Sequence, residues 1–327
     1  MQVAYRKRAE LETIAAKVLD FRYTRLLRHS IILERIIEPE NRPFRSTPTF
    51  SNVSLALSTT ERRKAMGILD VDAANVLAGA NQFPVGLPPQ PHERRVLIMI
   101  AALVYHPDVG LVLFDTGSCE DVIKSWGGKT LECGPRIWDK SVHGLPEAIK
   151  ATGAGEITDI KAVVLSHLHC DHAGGLEHFF GTEVEIWCHE EELKNAFWTC
   201  ATGLEQGTYL KDYLVIDRLK WKTFSGQIFE IYQGVTLHHC PGHTAGSIAM
   251  ELDFEKTGSV VLTGDLFHVK ENYEQGIHPG TLTRDFNEWH RSRNYLCNLV
   301  QRKQAKVVLG HELSYFNAFR ASPGYTD

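Results

Sequence analysis

Three histidines and an aspartate fall within six residues in the run His167-Leu168-His169-Cys170-Asp171-His172, directly after the apolar, strand-like residues 162–165. Neutral imidazole nitrogens and carboxylate oxygens are good ligands for zinc and related divalent ions. In an extended segment, side chains two positions apart point the same way, so His167 and His169 share a direction. Asp171 and His172 come next as the chain turns and can face a second ion beside the first. Gly174 and Gly175 permit a tight turn into the next segment of chain. Four ligand-type groups at this spacing read as a metal-binding pattern rather than as a polar loop.

Three later segments repeat one device, an apolar run closed by a glycine and then a candidate ligand. They are His243 in Cys240-Pro241-Gly242-His243-Thr244-Ala245-Gly246-Ser247, Asp265 in Leu262-Thr263-Gly264-Asp265, and His311 in Leu309-Gly310-His311-Glu312. In layered α/β proteins, functional groups gather at strand ends, where loops converge on a rigid sheet.

The elements that must position these residues can be read from hydrophobic periodicity. Residues 98–105 and 111–114 are expected to pair as strands through the turn at 106–110. Further strands are expected at 162–165, 184–187, 235–238, 247–252, 260–263 and 306–309. Residues 286–304 read as a helix with Trp289, Leu296, Leu299 and Val300 on its apolar face. Short strands mixed with helices indicate an α/β layered domain, placed at residues 51–327. Residues 1–50 read as an N-terminal helical extension: Leu11, Ile14, Ala15 and Val18 mark one helix face, and Pro39, Pro43 and Pro48 end the pattern.

Composition narrows the function classes. The 327 residues are 43% hydrophobic and 23% charged, with a net charge of −5. That balance gives no electrostatic footprint for nucleic acid or an anionic membrane. No apolar run reaches the length of a membrane span, and the first twenty residues lack the apolar core of a secretory signal. The seven cysteines are scattered without a Cys-x-x-Cys pair and read as reduced thiols of a cytoplasmic protein. The expected partner is a small molecule, with assembly as a homodimer left open.

The order His-x-His-x-Asp-His, then Pro-Gly-His-Thr, then Asp, then Gly-His resembles the metallo-β-lactamase superfamily, and Asp115-Thr116-Gly117 matches its early Asp-Thr-Gly turn. The resemblance covers about residues 95–315 and implies an αββα sandwich with the metal site at one edge of the sheets. It implies one divalent ion, most simply Zn2+, on His167, His169 and His243, a second on Asp171, His172 and His311, and Asp265 between them. Two such ions lower the pKa of a shared water to about 7 or less. They thereby supply hydroxide, with Asp171 or Asp265 passing a proton to the leaving oxygen. Asp115 and Ser166 suit the orientation of ligands from behind.

Within the superfamily, residues 166–175, 258–263 and 270–274 resemble the N-acyl homoserine lactonases, which implies lactone opening and quorum quenching. The pattern departs at one position. Those lactonases carry a substrate-binding tyrosine three residues after the bridging aspartate, where this chain has His268. An imidazole can donate in its place, and Tyr213 and Tyr273 are the alternative donors. Phe83, Trp198 and Phe267 are the aromatics that could shape a substrate pocket. The rival activities are a thioesterase of the glyoxalase II type, which uses the same ligands, and an iron-dependent oxidoreductase of the same fold. His169 argues against the di-iron branch, which has glutamate there.

Overall fold

The computed structural model describes residues 54–57, 65–83, 85–88, 90–204 and 208–318, all within the unit 50–327. The helical extension expected over residues 1–50 lies outside the described residues. In chain order the strands are β1 (Ser54–Leu57), β2 (Ile68–Asp72), β3 (Arg94–Ile98), β4 (Ala102–His106), β5 (Gly110–Phe114), β6 (Arg136–Ile137), β7 (Ile160–Val164), β8 (Glu185–His189) and β9 (Lys220–Phe224). They continue with β10 (Ile228–Tyr232), β11 (Val235–His239), β12 (Ile248–Phe254), β13 (Gly258–Leu262) and β14 (Lys306–Val308). Three longer helices are α1 (Leu145–Thr152), α2 (Glu190–Thr202) and α3 (Phe286–Lys303). One sheet has the order β1-β4-β5-β7-β8-β9 and the other β10-β11-β12-β13-β14, while β3-β2-β6 form a small third sheet.

Strand alternation builds the layers. Val104, Val112, Ala162 and Val164 of the first sheet share a core with Leu237, Met250, Val260 and Leu262 of the second. Their sequence neighbours Leu103, Leu113, Val163 and Leu165 point to the opposite face and pack with Leu145, Ala148 and Ile149 of α1 and Ala196 of α2. On the far side, Ala249 and Val261 meet Trp289, Leu296, Leu299 and Val300 of α3. Central strands are therefore apolar on both faces, and the order is helix, sheet, sheet, helix. The αββα sandwich is thus present. The helix α3 is capped as its sequence requires: the Asp285 carboxylate accepts from Glu288 N at 2.9 Å, and Gln304 closes the end in the left-handed region.

The expected single strand over residues 98–105 is corrected: β3 ends at Ile98 and β4 begins at Ala102. Between them Met99 exchanges backbone hydrogen bonds with Met66 and Gly67 at 2.8 and 2.9 Å, as the chain crosses from the small sheet to the large one. Continuous apolarity reads the same for one buried strand or two. The other expected strands and α3 stand within a residue or two of their places. No helix among the described residues is long and apolar enough to cross a membrane, and all seven cysteines are unpaired.

The parallel strands β5, β7 and β13, β14, and the antiparallel β11, all end toward the loops that carry the candidate ligands. One of these loops leaves no room for a side chain. At Gly242, φ is +136° and a Cβ would lie 2.4 Å from the Trp289 Cα. We expect Gly242→Ala to destabilise the fold by more than about 1 kcal/mol, because both the backbone angle and the contact with another backbone oppose it. A shift in the urea unfolding midpoint checks this.

Candidate metal centre

Each candidate ligand sits just past the end of a strand: His167, His169, Asp171 and His172 after β7, His243 after β11, Asp265 after β13 and His311 after β14. The structure brings all seven together. His243 Nε2 lies 3.1 Å from His167 Nε2 and 3.0 Å from His169 Nδ1. His172 Nε2 lies 3.3 Å from His311 Nε2, and the Asp171 carboxylate is 3.7 and 3.8 Å from those two nitrogens. Asp265 stands between the groups. Its Oδ2 is 3.5 Å from His243 Nε2 and 3.1 Å from His311 Nε2, and its Oδ1 is 3.3 Å from His172 Nε2. Six of the seven are buried, and only Asp171 is appreciably exposed.

The atoms behind the rings fix which nitrogen carries the proton. His311 Nδ1 donates to the Ile98 carbonyl at 2.8 Å and His243 Nδ1 to the Leu282 carbonyl at 2.7 Å. His172 Nδ1 donates to Asp115 Oδ2 at 2.9 Å. The Ser166 hydroxyl donates to Asp115 Oδ2 at 2.7 Å, so it accepts from His167 Nδ1 at 3.0 Å. In the neutral form in which it binds a metal an imidazole has one N–H, so each of these four rings would then turn its Nε2 lone pair to the centre. Asp265 Oδ1 likewise has no hydrogen-bond donor. Unsatisfied buried acceptors cost roughly 1–3 kcal/mol each. A divalent cation bound by such a set is worth on the order of 10 kcal/mol. The donor set therefore fits divalent metal, in the groups His167–His169–His243 and Asp171–His172–His311 with Asp265 adjoining both.

The two groups differ in charge. Burial, aided by the neighbouring rings, pushes the pKa of His167 and His169 well below the ordinary histidine range and that of His243 down to about 3. Burial acts the same way on His172 and His311, but Asp265 and Asp171, with Asp115 for His172, outweigh it and raise both. The first group is ready as neutral ligands, and the second already draws positive charge.

Asp115 has φ +60°, a left-handed conformation that a non-glycine residue adopts under constraint. There its carboxylate accepts from Ser166 N at 2.7 Å as well as from Ser166 Oγ and His172. His268 joins the centre, with Nε2 3.0 Å from Asp265 Oδ2, a fully buried ring, and no hydrogen-bond partner on either nitrogen. Tyr213 and Tyr273 do not join it. The Tyr213 hydroxyl donates to the Leu168 carbonyl and accepts from Leu210 N, and Tyr273 packs on Phe267 and Tyr315. Phe267 is core beside Trp289, whereas Phe83 and Trp198 are exposed. Cys170 and Cys240 are packing residues. His238 bonds Glu251 and Tyr295 away from the centre, and His239 stacks on His189. Sequence reasoning missed Glu192, a fully buried carboxylate in the first turn of α2 whose pKa burial pushes up. Its three-glutamate setting signals only a helix start.

Residues 98–311 match the family model of the metallo-beta-lactamase superfamily. An N-acyl homoserine lactonase of Bacillus sp is 28% identical over 224 residues, covering 66% of this chain and 82% of that protein. N-acyl homoserine lactonase AiiB of Agrobacterium fabrum is 27% identical over 261 residues, covering 77% and 92%. Among solved structures, a B. thuringiensis AiiA mutant with N-decanoyl-L-homoserine bound at its active site superposes with a TM-score of 0.67 at 24% identity, covering 85% of this chain and all of that one.

Asp115 backs His172 directly and His167 through Ser166. We expect Asp115→Asn to weaken divalent-metal binding in both groups by roughly 10- to 100-fold, since one amide N–H must then face a donor. Competition with a chromophoric chelator reads this out, and unchanged affinity refutes the role.

Proposed function

Because the chain belongs to the metallo-beta-lactamase superfamily, we propose that it is a dinuclear metal hydrolase that opens lactone rings, with N-acyl homoserine lactones as its substrate class. The observation that carries the reading is the central carboxylate, Asp265, flanked on both sides by imidazoles with inward lone pairs. The relatives at 27–28% identity supply the substrate class. His167, His169 and His243 would hold one ion, Asp171, His172 and His311 the other, and Asp265 both, with Zn2+ the ion that such a nitrogen-rich set suits. When bound, the pair supplies hydroxide at neutral pH and Lewis acidity for the substrate carbonyl.

Hydrolysis joins a hydroxyl to the carbonyl carbon, breaks the ring ester bond and leaves a proton on the former ring oxygen. Asp171 is the carboxylate suited to carry that proton. It is the most exposed of the seven, and its Oδ2 lies beyond hydrogen-bond reach of His172 and His311. Asp265 is enclosed by five imidazoles and suits charge stabilisation. His268, whose Nε2 faces Asp265 and whose Nδ1 has no hydrogen-bond partner, would hold the substrate by a ring N–H where other lactonases use a phenol. The unpaired thiols favour a cytoplasmic setting.

The test is a hydrolysis screen of metal-loaded protein over acyl homoserine lactones, thioesters and β-lactams. Lactone turnover is expected, along with two equivalents of metal per chain and loss of turnover in Asp265→Asn. Activity confined to thioesters overturns the substrate class, and a turnover-competent Asp265→Asn overturns the centre. We further expect His268→Ala to lower kcat by on the order of 100-fold with both metal equivalents retained. An unchanged kcat removes His268 from the reaction.

A further inference from the structure

The hydrogen bonds of Glu192 go not to the candidate ligands but to the segments that carry three of them. Its Oε1 accepts from Leu168 N at 2.9 Å, between His167 and His169, and from the Tyr209 hydroxyl at 3.1 Å. The Tyr209 ring meets His169 edge-on, with centroids 4.9 Å apart. Its Oε2 accepts from Thr244 Oγ1 at 2.6 Å and Gly246 N at 3.0 Å, in the loop that carries His243. Each oxygen thus holds one loop through a backbone N–H, and the width of a single carboxylate sets their spacing. The approach is close: a Cβ on Gly246 would lie 2.2 Å from Glu192 N.

The other ligand group is fastened elsewhere, His172 by Asp115 and His311 by the Ile98 carbonyl. From this division we infer that Glu192 is a positioning residue that sets the metal affinity of the His167–His169–His243 group separately from that of the Asp171–His172–His311 group. The inference rests on the dinuclear reading of the centre.

Glutamine at position 192 tests it. A side-chain NH2 accepts nothing, so whichever way the amide turns it opposes either Leu168 N–H or Gly246 N–H. The Thr244 and Tyr209 hydroxyls can rotate to accept, but the backbone amides cannot. The experiment titrates the metal-free full chain with Zn2+ against a chromophoric chelator, and with Co2+ tracked by its visible absorption. Wild type should take two equivalents. Glu192→Gln should keep one at wild-type affinity and bind the other roughly 10- to 100-fold more weakly. Equal weakening of both, which a general loosening of the fold would give, overturns the inference, and so does no change. A wild-type chain that takes fewer than two ions fails the dinuclear reading itself and removes this inference with it. Should Glu192→Gln not fold, Thr244→Val deletes one donor at nearly constant volume. It should weaken the same single equivalent, and wild-type uptake by it overturns the proposal.

Discussion

Lone pairs repel one another, and a fold that aims several of them into one small dry volume must hold every ring from behind. This constraint organises the molecule. Four imidazoles can present Nε2 inward only because their Nδ1 protons are taken by Asp115, Ser166 and the carbonyls of Ile98 and Leu282. Those anchors lie on segments far apart in sequence, so the ligand geometry is a property of the packed sandwich rather than of any loop. Strand ends are suited to the task. The core between the sheets fixes where these strands stop, and a candidate ligand follows three or four residues later.

The same burial that orders the rings divides them electrostatically. His167, His169 and His243 share their dry surroundings mainly with one another, and charge is driven off them. His172 and His311 sit among the carboxylates of Asp265, Asp171 and Asp115, and charge is drawn toward them. Asp265 is pulled well below the usual carboxylate range against its burial by the rings of His172, His311 and His268. A nitrogen-rich half and an oxygen-bearing half therefore meet at one carboxylate. Two cations there would experience unlike fields, which suits a division of labour between holding a nucleophile and meeting an oxyanion.

What the sequence made legible was local. The run His167 to His172 and the glycine-then-ligand endings at His243, Asp265 and His311 are each contained in a few residues, and a strand end needs only an apolar run and a stop. The break between Ile98 and Ala102 was hidden because its cause is a pairing of Met99 with Met66 and Gly67. Glu192 was hidden for a similar reason. Its partners are Leu168, Tyr209, Thr244 and Gly246, up to 54 residues away, and it looks like one of three acids opening an amphipathic helix. Edge strands β9 and β10 have mixed exposure and too little alternation to stand out from a loop.

Two of the anchors explain how such a centre tolerates a sequence that diverges elsewhere. His311 and His243 are held by main-chain oxygens, at Ile98 and Leu282, and one half of the Glu192 clamp is a main-chain N–H at Leu168. A backbone group is present whatever the side chain, so the anchoring itself places no demand on residue type there; Ile98 and Leu168 answer instead to the core they pack in. Asp115, Ser166, Glu192, the tightly packed Gly242 and Gly246 and the candidate ligands are the positions at the centre that demand particular residue types. That is a small number in a chain of 327 residues, and it fits with relatives that share 27–28% of their residues with this one. Divergence can then fall at positions such as His268, whose ring adjoins Asp265 without anchoring a candidate ligand from behind. Such positions can alter what the site admits without disturbing how its ligands are held.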